Sequence, residues 1–385
     1  MSENLELPPW LWPRAAYLHV PFCQHHCGYC DFAVTAGQDH LIDLYVEAVA
    51  EELQTLGTPT TINTIFLGGG TPTYLSFIQL DRLLTAINQW LPLRPGGEFS
   101  IEATPESITS EKVAVLADHG VNRVSLGVQS FHPKSLGQLD RIHGPEHVGP
   151  TLERIRRRID NVSLDLIFGV PDQSIADWEA DLTSALVFEP EHISTYGLTY
   201  EKGTPLWKRR EHGDLQPVAE ADEATMYEIA MEQLPFAGFE QYEVSNFAKL
   251  GRRCRHNETY WANEAYFGFG VGAARYVMGR RELNRRNTED YIRNVLAGES
   301  PTFQSEELQP EDGARETACV QMRRADGVIR DQFYKRTGFD FDELTKGRVA
   351  PYVAEGLLKD DGRAVSLTRR GRCLADSLVV RIVWG

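Results

Sequence analysis

The sequence Tyr17-Leu-His-Val-Pro-Phe-Cys-Gln-His-His-Cys-Gly-Tyr-Cys-Asp-Phe32 places three of the chain's six cysteines in one short loop after an apolar run. Cys23, Cys27 and Cys30 have the spacing C-x3-C-x2-C, which lets a single loop reach three corners of a cubane. Thiolates are soft ligands suited to iron–sulfur clusters. The loop therefore predicts a [4Fe–4S] site whose fourth iron has no protein ligand.

Two other interpretations of the cysteine loop remain open at this stage. A structural zinc site normally needs four tetrahedral ligands, so His25 or His26 would have to supply the fourth ligand beside Cys27. A disulfide needs an oxidising compartment. Residues 1–13 are acidic, Pro-rich and without an apolar run, so we expect no secretory signal. The cluster is favoured over both alternatives.

Composition sets broad bounds on the protein. With 385 residues, of which 42% are hydrophobic, the chain can form one large domain and a small one. A net charge of −16 argues against a general nucleic-acid binder, which needs a basic field. No apolar run approaches the roughly 20 residues of a membrane-spanning helix. We expect a soluble, cytoplasmic protein, and the sequence leaves peripheral membrane contact and oligomeric state open.

Six short apolar runs alternate with longer helical patterns, which favours an α/β fold with a parallel sheet covered by helices. The predicted strands are residues 16–20, 64–67, 98–102, 123–127, 162–168 and 192–198. The predicted helices between them are residues 40–56, 76–90, 110–119, 145–158 and 175–187. Six such units in roughly 200 residues suit an open, partial (β/α)6 barrel of the TIM type better than a closed eight-stranded one.

The pattern changes after the sixth strand. We expect a barrel with its extension over residues 14–300, preceded by a tail at 1–13 and followed by a small, mainly helical domain at 301–385. The predicted features of these parts are a helix at 218–233, a loop at 238–247, a Gly-rich segment at 266–273, a linker at 298–312, helices at 314–323, 331–337 and 369–377, and a last apolar run at 378–384.

Polar or Gly-rich motifs follow the predicted strands one after another. Gly68-Gly-Gly-Thr71 follows the second strand, and glycine lets a backbone approach a ligand closely. Glu102, Gln129 and Asp165 lie at or near the ends of the next three strands, and Arg141 follows Gln129. Each alone could be an ordinary hydrogen-bonding residue at a strand end. Together, on successive strands, they favour a shared ligand pocket.

The cysteine loop resembles that of the radical S-adenosylmethionine (SAM) enzymes, and its Tyr-x-His-x-Pro-Phe-Cys start resembles the oxygen-independent coproporphyrinogen III oxidases and their relatives. The resemblance implies a radical SAM barrel and a [4Fe–4S] cluster whose open iron is chelated by SAM. It also implies a SAM pocket made by Gly70, Thr71, Glu102, Gln129, Arg141 and Asp165, with Tyr29 and Gly197 near the adenine and Tyr17 near the sulfonium.

This chain departs from the family pattern at two positions in those motifs. Thr104 stands where the family usually has Asn, and Asp140 replaces the Gly of Leu-Gly-Arg-x-His. Neither change removes a residue to which the resemblance assigns a contact with SAM.

A second group of chemically capable residues is Cys254-Arg-His-Asn-Glu-Thr-Tyr-Trp261. Histidine and cysteine are both axial ligands of heme iron, and the two aromatic side chains offer flat apolar surface. A structural loop with a hydrogen-bonded histidine and two core aromatics explains the same residues without any ligand. Chemistry alone favours this structural interpretation.

The family resemblance changes that balance. The His256-Asn-x-x-Tyr-Trp261 segment is similar to a signature of the heme-chaperone branch of the family, and Phe32 stands where the oxidases carry a further cysteine. The resemblance implies that His256, Asn257, Tyr260 and Trp261 contact heme, with His256 as candidate iron ligand. It implies a chaperone that delivers heme to respiratory acceptor proteins. A coproporphyrinogen III oxidase and another radical SAM enzyme remain the alternatives.

Overall fold

A computed structural model describes residues 7–385, so residues 1–6 of the predicted N-terminal tail lie outside the described residues. The rest of the tail contacts the body of the protein. The amide of Ala265 donates to the carbonyl of Pro9 over 2.9 Å, and that of Met278 donates to the carbonyl of Leu11 over 2.8 Å. The Trp12 ring also packs edge-on against Phe267 at 5.8 Å.

Alternating runs of apolar and helical sequence produce the expected α/β elements. The strands within residues 7–385 are β1 Ala15–Val20, β2 Phe22–Cys23, β3 Thr35–Ala36, β4 Ile62–Gly69, β5 Leu93–Ala103, β6 Arg123–Gln129, β7 Asn161–Phe168, β8 His192–Gly197, β9 Glu240–Gln241, β10 Asn246–Ala248, β11 Phe267–Gly270, β12 Ala274–Val277, β13 Arg280–Asn284, β14 Thr302–Glu307, β15 Val328–Ile329, β16 Leu358–Asp360 and β17 Ala364–Leu367.

The helices cover the sheet and form most of the C-terminal region. The α-helices within the same residues are α1 Ile42–Gln54, α2 Phe77–Trp90, α3 Ser110–Asp118, α4 Pro133–Gln138, α5 Val148–Arg156, α6 Ile175–Val187, α7 Pro205–Glu211, α8 Glu220–Phe236, α9 Arg255–Trp261, α10 Thr288–Leu296, α11 Pro310–Gln321, α12 Arg330–Thr337, α13 Phe341–Thr345, α14 Val349–Ala354, α15 Arg369–Arg372 and α16 Ala375–Val383.

The central sheet has the strand order β11-β1-β4-β5-β6-β7-β8-β10-β9. All six predicted strands are present and neighbouring strands among them pair in parallel, which confirms the predicted fold class. The edge strands β11 and β9 do not pair with each other, so the sheet is an open, partial barrel. Parallel strands carry their connections on the sheet faces, and the buried apolar side chains of these strands pack against the covering helices.

The sheet is wider than the sequence pattern indicates. The Gly-rich segment at 266–273 contains β11, which pairs in parallel with β1 and extends the sheet on that side. The segment predicted as a loop at 238–247 contains β9 and the start of β10, which pairs antiparallel with β8 on the other side. The loop prediction was wrong because strands of two or three residues are too short to show a periodic pattern.

The predicted linker at 298–312 is also wrong. It contains β14, which pairs with β13 in a three-stranded antiparallel sheet, and the start of α11. The side chains of β14 are mostly exposed, so the segment has the polar composition of a linker. A second hydrophobic core, built from residues between 314 and 383, begins after this strand.

The C-terminal region is small and mainly helical, as predicted. The predicted helix at 369–377 is two helices, α15 and α16, which are separated at Cys373 and Leu374. The last apolar run belongs to α16. No helix between residues 7 and 385 is both long and apolar enough to cross a membrane.

The first turn of α2 shows how local sequence sets an element boundary. The Ser76 hydroxyl accepts a hydrogen bond from the Gln79 amide over 3.3 Å, and the Gln79 side chain accepts one from the Ser76 amide over 3.0 Å. This reciprocal capping satisfies two amides that have no partner inside the helix. It starts α2 after one short 3-10 turn, Pro72–Tyr74, which follows the Gly-rich end of β4.

Glu52 ties the added strand β11 to α1. This buried carboxylate accepts hydrogen bonds of 2.7 Å from the amide of Gly270, the hydroxyl of Tyr291 and the side-chain amide of Asn284. Burial raises the pKa of Glu52 above its ordinary value. The three donors would lose their acceptor together if this one side chain were removed, because each of them is buried.

We therefore expect Glu52→Ala to lower the free energy of unfolding by about 2–4 kcal/mol, since buried donors left unpaired cost roughly that much. Denaturant unfolding followed by far-UV circular dichroism measures the change. Glu51→Ala is the matched control, because Glu51 is exposed on the same helix and its loss should change stability by about 0.5 kcal/mol or less. Equal effects of the two substitutions would contradict this assignment.

Candidate functional site

A cavity of about 900 Å³ opens at the carboxyl ends of the parallel strands. Its wall is formed by the residues that end β1, β4, β5, β6, β7 and β8 and by the loops that follow them. Every site residue named from the sequence except Trp261 lies on this wall. They are Tyr17, Cys23, Cys27, Tyr29, Cys30, Gly70, Thr71, Glu102, Gln129, Arg141, Asp165, Gly197, His256, Asn257 and Tyr260.

The cysteine loop is held at both ends by backbone pairing. β2 pairs in parallel with β3 in a separate two-stranded sheet, so the loop begins after Cys23 and ends where the chain re-enters this sheet at Thr35. All three loop thiols are free and line the cavity. Burial raises the pKa of the Cys23 thiol to about 12, and burial also raises that of Cys30. Thiols with raised pKa values need a positive ligand before they give up their protons.

Two polar side chains already point at these sulfurs. The hydroxyl of Thr71 donates to the Cys23 Sγ over 3.7 Å. The guanidinium of Arg141 donates to the Cys27 Sγ over 3.5 Å and to the Gly127 carbonyl over 3.0 Å. The Nε of Arg141 is buried and has no hydrogen-bond partner in the part of the chain that the structure describes. Arg141 is therefore a cationic donor beside the cysteine loop, and its Nε can still donate a hydrogen bond to a ligand.

Gly70 allows the cysteine loop to pack on the end of β4. A Cβ atom at this position would lie 2.8 Å from the Cys23 Sγ and 2.8 Å from the carbonyl oxygens of Phe22 and Pro21. Backbone atoms cannot move aside as a flexible side chain can, so only glycine fits without displacing the loop. The amide of Gly70 also donates to the Val20 carbonyl over 2.8 Å.

Two buried carboxyl groups form the inner wall of the cavity. Glu102 accepts a hydrogen bond from the Gly69 amide over 2.9 Å, and burial raises its pKa to about 8. Asp165 accepts hydrogen bonds from Ser125 over 2.9 Å and Ser194 over 2.7 Å, and burial also raises its pKa. Carboxyl groups placed in this way can accept hydrogen bonds from hydroxyl or ammonium groups of a ligand.

Gln129 has an unusual backbone that a neighbouring helix supports. Its φ is 66°, in the left-handed region, and the pairing of β6 with β7 shifts by one residue at this point. Asp181 of α6 accepts hydrogen bonds from the Ser130 hydroxyl over 2.7 Å and from the Phe131 amide over 2.6 Å. These contacts hold the turn that directs Gln129 into the cavity.

His256 lies at the start of α9 and is completely buried. Its Nδ1 shares a hydrogen bond of 3.1 Å with the Thr64 hydroxyl, and its Nε2 shares one of 2.8 Å with the Tyr260 hydroxyl. Burial, and next the charge of Arg123, lower the pKa of His256 to about 3. The ring is therefore neutral at ordinary pH, with both nitrogens engaged inside the protein.

The other residues of this segment point in different directions. Trp261 lies outside the cavity, where the guanidinium of Arg323 stacks over its ring at 5.4 Å. The Cys254 thiol is buried 3.5 Å from the Glu98 carboxylate and also lies outside the cavity wall. Of the four residues expected to contact heme, His256, Asn257 and Tyr260 thus line the cavity and Trp261 does not. Successive side chains of a short helix point in different directions, so they cannot all face one side.

Three residues of the wall, Arg123, Ser125 and Gly127, were not predicted although the sequence contains a signal for them. Arg123, Ser125, Gly127 and Gln129 of β6 all line the cavity, in the two-residue period of one strand face. Counting back by two from Gln129 would have found the first three. Asp181 had no such signal, because 50 or more residues separate it from the backbone that it supports.

Family models match both regions of the chain. Residues 17–185 match the model of the radical SAM superfamily, and residues 308–374 match that of the HemN C-terminal domain. The solved structure of coproporphyrinogen III oxidase (HemN) from Escherichia coli, a radical SAM enzyme, superposes with a TM-score of 0.85 over 98% of this chain and 91% of its own. At 20% sequence identity, this likeness bears on the fold alone.

Several proteins of higher sequence identity to this chain are heme chaperones. The heme chaperone HemW of Bacillus subtilis is 37% identical over 371 residues, which cover 95% of this chain and 98% of that protein. HemW of Synechocystis is 38% identical and covers 83% of this chain and 80% of its own. HemW of Escherichia coli is 30% identical and covers 95% and 97%, respectively.

Proposed function

Because the chain belongs to the HemW family of heme chaperones within the radical SAM superfamily, we propose that it binds a [4Fe–4S] cluster, SAM and heme and delivers heme to acceptor proteins. The observation that carries the proposal is the meeting of the three loop thiols and the strand-end polar residues on one cavity wall. We propose acceptors of respiratory type. A cytoplasmic location belongs to the same proposal, since the six cysteines are free thiols and such thiols persist in reducing compartments.

The residues present fit a cluster. Each thiolate of a three-cysteine cubane binds a different iron. The three thiols therefore need to surround the whole cluster and do not need to converge on a single metal ion. In residues 7–385 no three His, Cys, Asp or Glu side chains converge on one metal-ion position, and the cluster loop does not require this. Arg141 beside Cys27 supplies positive charge that favours thiolates. A bound cluster would supply one-electron reduction chemistry.

The strand-end residues fit SAM by charge and by hydrogen-bonding type. We propose that Glu102 and Asp165 accept hydrogen bonds from its hydroxyl or ammonium groups. The unpaired Nε of Arg141 is a donor for its carboxylate. Gly70 and Thr71 border the methionine end, with Tyr17 near the sulfonium, and Gln129, Tyr29 and Gly197 complete the pocket.

Heme is the cargo in this proposal, and the residues for it are less obvious. The family resemblance implies His256 as the iron ligand, with Asn257, Tyr260 and Trp261 as further contacts. Binding iron at His256 requires the ring to give up its hydrogen bond to Thr64 or to Tyr260. Trp261 contacts the C-terminal region, so a role in heme binding would require it to turn away from Arg323.

The cluster assignment is tested by reconstituting the protein with iron and sulfide under anaerobic conditions. We expect one cubane per chain in the wild type, and loss of its broad visible absorption when Cys23, Cys27 or Cys30 is changed to Ala, because each substitution removes the only protein ligand of one iron. Cys319→Ala is the matched control, since that free thiol lies away from the cavity wall. Full cluster content in all three loop variants would contradict the assignment.

The SAM pocket is tested by titrating the reconstituted protein with SAM and following the EPR spectrum of the reduced cluster. Asp165→Ala and Gln129→Ala should raise the Kd for SAM about tenfold each, since a lost polar contact costs roughly 1–1.5 kcal/mol. Cluster content should stay unchanged. Asp160→Ala is the control, because Asp160 is exposed just before the other end of β7. Unchanged Kd values in both pocket variants would remove them from the site.

Chaperone and oxidase are separated by one comparison on the reconstituted protein. We expect stoichiometric heme binding with a Soret band, and no conversion of coproporphyrinogen III under reducing conditions with SAM present. The oxidase alternative predicts turnover on the order of 1 s⁻¹ or somewhat below. Such turnover would replace the chaperone proposal, and a wild-type protein that takes up no heme would contradict it directly.

A further inference from the structure

Four histidines line the cavity, and three of them are committed to hydrogen bonds within the protein. His19 shares hydrogen bonds of 2.9 Å through both ring nitrogens, and His256 also uses both. The Nε2 of His26 shares a bond of 3.1 Å with the Cys30 carbonyl. His25 is exposed, and neither of its ring nitrogens has a protein partner within residues 7–385. Within the same residues the Nδ1 of His26 also has no partner, so His25 is distinguished as the cavity histidine with both ring nitrogens available to iron.

Large apolar side chains stand open at the mouth of the same cavity. Phe32 is 66% exposed and Ile142 is 50% exposed, and both line the cavity. Ligand sites are typically concave and lined by apolar side chains with a few polar groups, which describes this opening. The inner wall is chemically opposite, because Glu102 and Asp165 place buried carboxyl groups there. A flat apolar ligand is therefore matched to the mouth and not to the inner end.

A guanidinium completes the mouth beside Phe32. Arg286 donates a hydrogen bond of 2.5 Å to the Asp31 carbonyl and lies 3.8 Å from the exposed Asp31 carboxylate. Its own side chain is 56% exposed and lines the cavity, so it can also pair with an anionic group of a ligand. Ile142 directly follows Arg141, whose guanidinium contacts Cys27. The cysteine loop thus contacts both Arg286 and Arg141. We call His25, Phe32, Ile142 and Arg286 the cavity rim.

We propose that heme binds at the cavity rim, with one face of the porphyrin against Phe32 and Ile142, a propionate toward Arg286 and the iron ligated by His25. Each part of heme then meets the chemistry that suits it: apolar side chains for the flat macrocycle, a guanidinium for a carboxylate and an imidazole for iron. This inference rests on the proposed heme-chaperone function. It gives His256 a positioning role, because its hydrogen bond to Thr64 links β4 to α9 and its bond to Tyr260 holds that side chain within α9.

The test uses the full chain with its reconstituted cluster and titrates it with hemin, following the Soret band and the EPR spectrum of the ferric heme. His25→Ala should shift the Soret band and remove the imidazole signature of the iron. Phe32→Ala should raise the Kd for hemin about tenfold, a change expected when a contact worth about 1.4 kcal/mol is lost. Both side chains are exposed, and cluster content measured in each variant confirms that the loop is intact.

Matched controls isolate the rim from general surface effects. His212→Ala and Phe236→Ala remove an exposed histidine and a 97% exposed phenylalanine that do not line the cavity, and both should bind hemin as the wild type does. Wild-type spectra and Kd in both His25→Ala and Phe32→Ala would overturn the rim site while leaving the chaperone function standing. Loss of the imidazole signature in His256→Ala with its retention in His25→Ala would also overturn it.

Discussion

The contact of the cysteine loop with Gly70 determines where every other part of the site lies. β1 and β4 pair in register from Ala15 with Thr64 to Val20 with Gly69, so both strands end side by side. The loop that leaves β1 then meets the Gly-rich turn that leaves β4. A Cβ on Gly70 would lie only 2.8 Å from the Cys23 Sγ, so the two segments can pack this closely only because this residue is glycine. The thiols are thereby fixed at the edge of the sheet toward which all parallel strands direct their last residues.

A second set of contacts joins the later part of the chain to this edge. The Glu98 carboxylate of β5 accepts hydrogen bonds from the amides of Arg255 over 2.9 Å and His256 over 3.2 Å. These are amides at the start of α9, which have no partner inside the helix. The buried carboxylate therefore anchors α9 behind the cavity, with Tyr260 turned toward the wall and Trp261 toward the C-terminal region.

Much of this arrangement was predictable from sequence. Buried parallel strands appear as short apolar runs, so all six were found, and the polar residues after them share one cavity because parallel strands end at one edge. β11 was missed because Phe-Gly-Phe-Gly looks like a flexible segment, although its glycines permit close backbone packing: a Cβ on Gly268 would lie 1.9 Å from the Ala274 carbonyl oxygen. The contacts of Asp181 with Ser130 and Phe131, and that of His256 with Thr64, join segments that are distant in the sequence, so no local pattern reveals them.

The cavity also separates two kinds of chemistry along its depth. Its inner wall holds Glu102 and Asp165, and burial raises the pKa values of both carboxyl groups. A cationic group of a ligand placed beside them would lower these pKa values again, because it favours the charged carboxylate. Its mouth holds exposed apolar side chains and Arg286, which suit a flat ligand with carboxylates. The inner end therefore suits a ligand with cationic and hydroxyl groups, and the mouth suits a flat apolar ligand. Because Cys23 packs on the end of β4 while His25 and Phe32 of the same loop belong to the cavity rim, a ligand that shifts the loop at one end also changes the surface at the other end.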